Sequence, residues 1–422
     1  IAPEAFQMQQ PQEAQTVSEF QPGEIIPHSE KPLENPLAIL SQMREEHRKE
    51  LQLMFENDYY ATVSPGAGQV PEKGSDQAVP PKPPATFSLK ELWKQPLTGP
   101  GNITTVTTDS GTRLLIPCEG NSLAIFDLSG KLLQKFKPEG LLNDELLTLI
   151  RTGTDGTGKR YIGISSIGGC AVHVFDNSLK PIFSYSPGTG ENSKCGVADF
   201  RFIDLHGHGS LSMIVGVIAL DEGKDSVRAI DLQGKEIWRD DSVSSPFQVD
   251  SFVLGDKREI LCLDVQEQRS LLSIYDLQGK RLASPTNEEG RQIIWFHVSE
   301  IDGDGQSEIA ILHADKAEKE VQIAAWDRSG RLLWNQPLPT GEYHKPIEQI
   351  ITGNIQGDAI KEWIVPSPNG MVFVFDRNGN ALDTFSFGKF LTGLAVVHDE
   401  DRRILITADT ESVTAFLIAT NN

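Results

Sequence analysis

Ala229-Ile230-Asp231-Leu232-Gln233-Gly234-Lys235-Glu236-Ile237-Trp238 reads as one strand, a tight turn and a second strand. The apolar residues stop at Asp231. Its carboxylate can accept hydrogen bonds from the turn's backbone, and Gly234 can take the positive φ that such a turn demands. Apolar residues then resume and end on a tryptophan. The phrase recurs as Ile125-Phe126-Asp127-Leu128-Ser129-Gly130-Lys131-Leu132-Leu133 and Val174-Phe175-Asp176-Asn177-Ser178-Leu179-Lys180-Pro181-Ile182. It returns as Ile274-Tyr275-Asp276-Leu277-Gln278-Gly279-Lys280-Arg281-Leu282, as Ala325-Trp326-Asp327 running on to Trp334, and as Val374-Phe375-Asp376 running on to Leu382. Successive aspartates lie 49, 55, 45, 51 and 49 residues apart. A period near fifty made of short strands and tight turns points to the blades of a β-propeller, not to a helical solenoid.

Working outward, two further strands precede each phrase, for example 293–299 and 309–314 before Asp327. Four strands per repeat is the count a blade needs. After Asp376 the strands 391–397, 403–408 and 413–418 lack an outer partner. Leu92-Trp93-Lys94-Gln95-Pro96-Leu97 matches Leu333-Trp334-Asn335-Gln336-Pro337-Leu338, an outer strand in context, so the strand near 88–94 is expected to complete the last blade and remove an open edge. The expected fold is all-β, a seven-bladed β-propeller over 87–422 with N-terminal strand closure.

The first eighty-six residues have another character. Residues 1–34 are rich in Gln, Glu and Pro, too polar to offset their ordering entropy, and read as a disordered arm. Residues 61–86, with Pro80-Pro81-Lys82-Pro83-Pro84, read as an extended linker. Between them, 35–60 carries one amphipathic helix. Asn35 can cap it, Pro36 suits its first turn, and Leu37, Leu40, Met43, His47, Leu51 and Met54 share one face. That stripe either packs back on the propeller or serves as a docking element over 35–57, since a lone helix of this length is marginal in water.

The 422 residues carry 38 basic and 59 acidic side chains, a net charge of −21. A phosphate backbone wants a basic face, so nucleic acid is not the expected partner, nor is an anionic membrane surface. No apolar run reaches the length of a membrane span. The chain opens on Ile1, as a processed form or a fragment would. Cys118, Cys170, Cys195 and Cys262 form no CxxC motif and read as buried thiols, with a Cys170–Cys195 disulfide open in an oxidising compartment.

One loop carries chemistry. Glu300-Ile301-Asp302-Gly303-Asp304-Gly305-Gln306-Ser307-Glu308 places oxygen donors at positions 1, 3, 5 and 9, with glycine at 6 and the Gln306 carbonyl at 7. That is the spacing of a calcium loop, shorter than the helix-flanked form that ends on Glu at 12. The expected metal ligands are Glu300, Asp302, Asp304, Gln306 and Glu308. The competing reading is that Asp302 and Asp304 cap the turn without metal. Equivalent loops are degraded: Asp204–Ser212 substitutes His206 and His208, 152–161 keeps Asp155, and Asn354–Glu362 loses the second glycine.

The Ile-Asp-Gly-Asp-Gly-x-x-Glu-Ile loop resembles FG-GAP/VCBS-type propellers. The Ala-Ile-Asp-x-x-Gly-Lys-Glu-Ile-Trp phrase resembles the quinoprotein-type, PQQ-like repeat. The resemblance covers about 330 residues and specifies architecture better than activity. It implies calcium in the blade loop and an extracytoplasmic location. It does not bring the quinone cofactor, because those dehydrogenases have eight blades and a larger chain.

Nucleophile-elbow, zinc-protease, phosphate-loop and dinucleotide motifs are missing. The sequence therefore favours a non-catalytic scaffold for protein–protein interaction. Its docking face would be the 35–57 helix or the inter-blade loops, with Glu191, Lys194, Glu289, Arg291, Glu342, Tyr343, His344 and Lys345 as candidates. The alternative is an extracytoplasmic propeller that binds carbohydrate or degrades polysaccharide, since a pair of carboxylates can hydrolyse glycosides on any fold.

Overall fold

The computed structural model describes residues 86–421, apart from 109, 120, 139–145, 168–170, 189–194, 220–223, 255–256, 266–269, 284–290, 316–320, 328–330, 340–349, 359, 368–369 and 390. The arm, the 35–60 helix and the 61–85 part of the linker lie outside the described residues, as do Cys170 and all but one of the candidate loop-face residues. The exception is Arg291, which opens a strand.

The chain enters through β1 (Phe87–Pro96). Blade one comes next as β2 (Thr104–Thr108), β3 (Gly111–Cys118), β4 (Ser122–Asp127) and β5 (Leu132–Phe136). Blade two is β6 (Leu146–Thr154), β7 (Arg160–Ile167), β8 (Val172–Asp176) and β9 (Pro181–Tyr185); blade three is β10 (Cys195–Ile203), β11 (Ser212–Ala219), β12 (Ser226–Asp231) and β13 (Glu236–Asp240). Blade four runs through β14 (Pro246–Leu254), β15 (Lys257–Val265), β16 (Ser270–Tyr275) and β17 (Arg281–Ala283); blade five through β18 (Arg291–Ser299), β19 (Glu308–Asp315), β20 (Val321–Trp326) and β21 (Leu332–Leu338). Blade six holds β22 (Ile351–Gly353), β23 (Glu362–Pro366), β24 (Met371–Phe375) and β25 (Ala381–Ser386), and blade seven adds β26 (Gly393–Asp399), β27 (Arg402–Ala408) and β28 (Ser412–Thr420). Every sheet is an antiparallel meander of four strands, and the fourth place in blade seven is held by β1, in the order β1-β28-β27-β26. The architecture is an all-β, seven-bladed propeller.

The repeated phrase is the hairpin of each blade's third and outer strands. Asp231 shows its mechanics: its Oδ1 accepts the N–H groups of Gln233 (2.9 Å) and Lys235 (2.8 Å), while Gly234 sits at φ +81°. Middle strands such as β11 and β15 are almost wholly buried, because each is covered on both faces by neighbouring blades. The core is accordingly a set of clusters at the seams, each mixing side chains of adjacent blades.

Two features of the outer strands are shared around the ring. Each pairs with its third strand through a bulge that skips one residue: Leu92, Leu133, Ile182, Ile237, Leu282, Leu333 and Leu382 in turn. The extra residue resets the in-out alternation of the rest of the strand. In three blades the next residue is a tryptophan that reaches the neighbouring blade. Trp93, Trp238 and Trp334 donate their indole N–H to the carbonyls of Leu128 (2.9 Å), Leu277 (3.0 Å) and Arg377 (2.8 Å).

Near the inner strands, charge bridges the seams. Asp199 is buried and accepts from Arg151 (3.0 Å), from Arg201 (3.0 Å) and from the Val249 N–H (3.2 Å), tying blades two, three and four. Gln248 pairs with both backbone groups of Phe296 in blade five. Satisfied buried bonds of this kind fix blades two to five against one another.

Candidate functional site

The 300–308 loop joins β18 to β19 in blade five. Gly303 and Gly305 take φ of +81° and +80°, which an L side chain rarely adopts, and so fold the chain back sharply. Within the loop, Gly303 N–H donates to Glu300 Oε1, Asp304 N–H to Asp302 Oδ1 (3.3 Å), and Gln306 N–H to Asp304 Oδ1 (2.7 Å). The carboxylates of Glu300, Asp302 and Asp304 each offer an oxygen within 4.8 Å of the others.

The other two expected ligands are also tied into the loop by hydrogen bonds. Gln306 contributes its N–H to the turn. The Glu308 carboxylate turns to the foot of the loop and accepts the Ile301 N–H at 3.0 Å. Its burial, with the nearby charges of Asp302 and Asp304, pushes its pKa up to about 7 against the backbone bonds that oppose it. Three carboxylate oxygens are thus brought together for a hard cation that takes six to eight. The Gln306 carbonyl, Glu308 and water would have to complete the shell.

Blade six supplies positive charge to the same loop. Arg377 Nη1 lies 2.8 Å from Asp302 Oδ2, and Lys361 Nζ donates to the Glu300 carbonyl at 2.9 Å. Lys361 N–H also donates to the Ile301 carbonyl (2.9 Å). On the other side, Ser307 exchanges two bonds with Val253 of blade four. The loop is therefore a three-blade junction.

The equivalent loop of blade six uses the same bonds with fewer acids. Ile355 N–H donates to Glu362 (2.6 Å), Gly357 N–H to Asn354 Oδ1, and Ile360 N–H to Asp358 Oδ1 (3.1 Å). Capping is thus the standing task of these positions. What blade five adds is Glu300 in the place of Asn354 and Asp302 in the place of Gln356, and Asp302 is the carboxylate that meets Arg377. In blades two and three the surviving aspartates cap outright. Asp155 accepts from Thr157 and Lys159 backbone N–H and from Tyr161 OH, and Asp204 accepts from three backbone N–H groups that hold its carboxyl below the usual range despite partial burial. His206 and His208 are exposed and line a groove of about 710 Å³ over blade three with Asp155, Tyr161, Asp231 and Glu236.

Cys118 and Cys262 are free and buried, and burial pushes both thiols up in pKa. The Cys170–Cys195 pairing lies outside the described side chains. Sequence reasoning passed over the bulged aliphatics and the seam role of the tryptophans. The available signal was an aliphatic residue at the third place after the turn, with Trp following the aliphatic at Trp93, Trp238 and Trp334.

No family model matches the chain, and no curated protein matches it. Solved structures do share its fold. BBS1N, in a crystal structure of its complex with ARL6DN soaked with mercury, is 15% identical with a TM-score of 0.56, over 78% of this chain and 96% of that one. Raptor of Chaetomium thermophilum is 15% identical with a TM-score of 0.53, over 80% of this chain and 29% of that one. At such identities the likeness is one of fold: the chain is similar to these proteins as a β-propeller.

Proposed function

We propose that the chain is a non-catalytic propeller scaffold for protein–protein interaction, FG-GAP/VCBS-type in its blade-five loop and PQQ-like in its repeat phrase. The observation that carries this reading is the employment of its repeated polar residues. The phrase aspartates, the loop acids and the inner-strand charges are engaged in holding turns and seams. BBS1N, which has the same fold, is bound to ARL6DN in its crystal. Ring closure by the 87–94 strand belongs to the reading, and the pairing of β1 with β28 supports it. So does docking through segment 35–57. The test is isolation of the full chain from its native cells under crosslinking, where stoichiometric protein partners are expected. A chain recovered alone that depolymerises a polysaccharide would overturn it in favour of the carbohydrate alternative, for which the blade-three groove is the place to look.

We further propose that calcium binds the 300–308 loop through Glu300, Asp302, Asp304, Gln306 and Glu308, in an extracytoplasmic setting. Supporting this are the three converged carboxylates. Calcium at about a hundred times its Kd would add roughly 2.7 kcal/mol of stability. Melting with and without chelator should differ, Asp302→Ala should abolish the difference, and Arg377→Gln should enlarge it by freeing Asp302. Equal melting curves with and without calcium, in the natural chain and in Arg377→Gln alike, would refute the site.

A further inference from the structure

We propose that the outer rim of blades seven and one docks an acidic amphipathic helix of a partner protein. The proposal rests on the scaffold reading and names the chemistry of its partner.

Every exposed large apolar side chain among the described residues stands on an outer strand. In six of the seven blades the bulge residue is one of them, from Leu92 at 36% exposed to Leu333 at 49%. A bulge blunts an edge and adds twist whatever its side chain. A polar residue there would do as well and would leave no apolar surface in water. The fold instead places Leu or Ile at this point in all seven blades.

The seventh case shows what such a knob receives. Leu382 of blade six is half-buried because the entering chain crosses it. Thr86 Oγ1 donates to the Leu382 carbonyl at 2.8 Å, Phe87 N–H donates to Asp383 at 2.7 Å, and Leu382 packs on the cluster that holds Phe87. A bulge aliphatic beside the groove of its blade is thus a seat for a crossing segment, already used once within the molecule.

Charge singles out one stretch of the rim. In three other blades an arginine near the bulge pairs with an acid: Arg239 with Asp241, Arg281 with Asp240 and Arg331 with Asp327. On β1, Lys90 and Lys94 flank Leu92, with Glu91 the single carboxylate in that strand. On the adjoining blade, Lys131, Leu132, Leu133 and Lys135 are all exposed, and the stretch 131–137 contains no acid. Blades seven and one are joined at this seam by Trp93, which donates to Leu128. Each of these two neighbouring blades thus presents exposed aliphatic side chains flanked by ammonium groups, on a chain of net charge −21. Its complement is a helix with an aliphatic stripe bordered by carboxylates, where the stripe gives affinity and the charges give orientation and register.

The test uses the full chain and a fluorescein-labelled helical peptide of about five turns, with Leu on one face and Glu beside it. Its Lys counterpart and phosphatidylserine vesicles serve as competitors. The Glu/Leu peptide is expected to bind. Leu92→Ser with Leu133→Ser should weaken it at least about tenfold, and Lys94→Glu with Lys135→Glu should do the same while favouring the Lys peptide. Ile237→Ser with Leu282→Ser, on blades three and four, should leave binding unchanged. Equal loss in that control pair, equal binding of the Lys peptide, retention by vesicles alone, or no binding of the Glu/Leu peptide would each overturn the proposal. If native partners persist on the Leu92/Leu133 variant, the rim assignment falls while the scaffold reading stands.

Discussion

The indole of Trp334 occupies the space where a side chain on Gly379 would lie. A Cβ built on Gly379 would sit 2.5 Å from the ring. The same holds for Trp238 over Gly279 (2.5 Å) and Trp93 over Gly130 (2.6 Å). The turn glycine therefore has two duties. It takes a positive φ within its own blade, and it leaves room for the tryptophan of the blade before. Each indole also lies 6.2–6.4 Å from the aromatic residue that precedes the turn aspartate, tilted against Phe375 and stacked on Tyr275 and Phe126 respectively.

The two duties can be separated by substitution. Gly158 has φ +85° with nothing near its missing side chain, whereas Gly379 has φ +82° and the indole. Gly158→Ala should cost only the left-handed backbone penalty, about 1–2 kcal/mol. Gly379→Ala should add overpacking of about 1–3 kcal/mol. Urea unfolding of the two variants checks this. Equal losses would mean that the ring moves aside freely and does not fix the seam.

This device explains why the blade count was legible and the seam was not. Asp-x-x-Gly marks a turn through forces local to five residues, so Asp127, Asp231, Asp276 and Asp376 could be read directly as blade markers. The partner of Gly379 is Trp334, 45 residues earlier in the chain, and no local pattern announces that they touch. The bulges escaped notice for the same reason: Leu333 looks like any strand residue until the register with β20 is known. In the acidic loop the converging trio came from alternation along a tight turn. Arg377 did not, because it arrives from the next blade.

The seam between blades one and two lacks the pair, and its replacement can be tested. Gln134 stands in the tryptophan register, opposite Ile125 as Trp238 stands opposite Ala229. In the glycine place stands Leu179, at φ +62°. Leu179 and Phe136 pack on the cluster of Phe175, and Phe136 meets Phe175 edge-on at 5.4 Å. The leucine fills room that an indole fills elsewhere, while its backbone carries a cost of about 1–2 kcal/mol. Gln134→Trp alone should destabilise, since indole and Leu179 compete for one space. Gln134→Trp with Leu179→Gly should recover the loss, giving a coupling of at least about 1 kcal/mol in a double-mutant cycle. Additive effects would show that the two positions do not share the seam.

Glu362 gives the pH prediction. It is fully buried, accepting the N–H of Ile355 at 2.6 Å and the side-chain amide of Gln356 at 3.0 Å. Burial raises its pKa above the ordinary value of 4.5, against those two bonds. The folded state therefore holds the proton more tightly than the unfolded chain does. This contribution to stability is complete below about pH 4.5 and is lost as pH rises through the raised value. Glu362→Gln removes that dependence. It also sets an amide N–H against one of the two donors, a cost of about 1–3 kcal/mol. The variant should be less stable than the natural chain at low pH, and the gap should narrow as pH rises toward neutrality. Denaturant midpoints measured across that range decide it: a gap that stays constant would mean Glu362 titrates normally, and a gap that widens would mean its carboxylate form is the one the fold prefers.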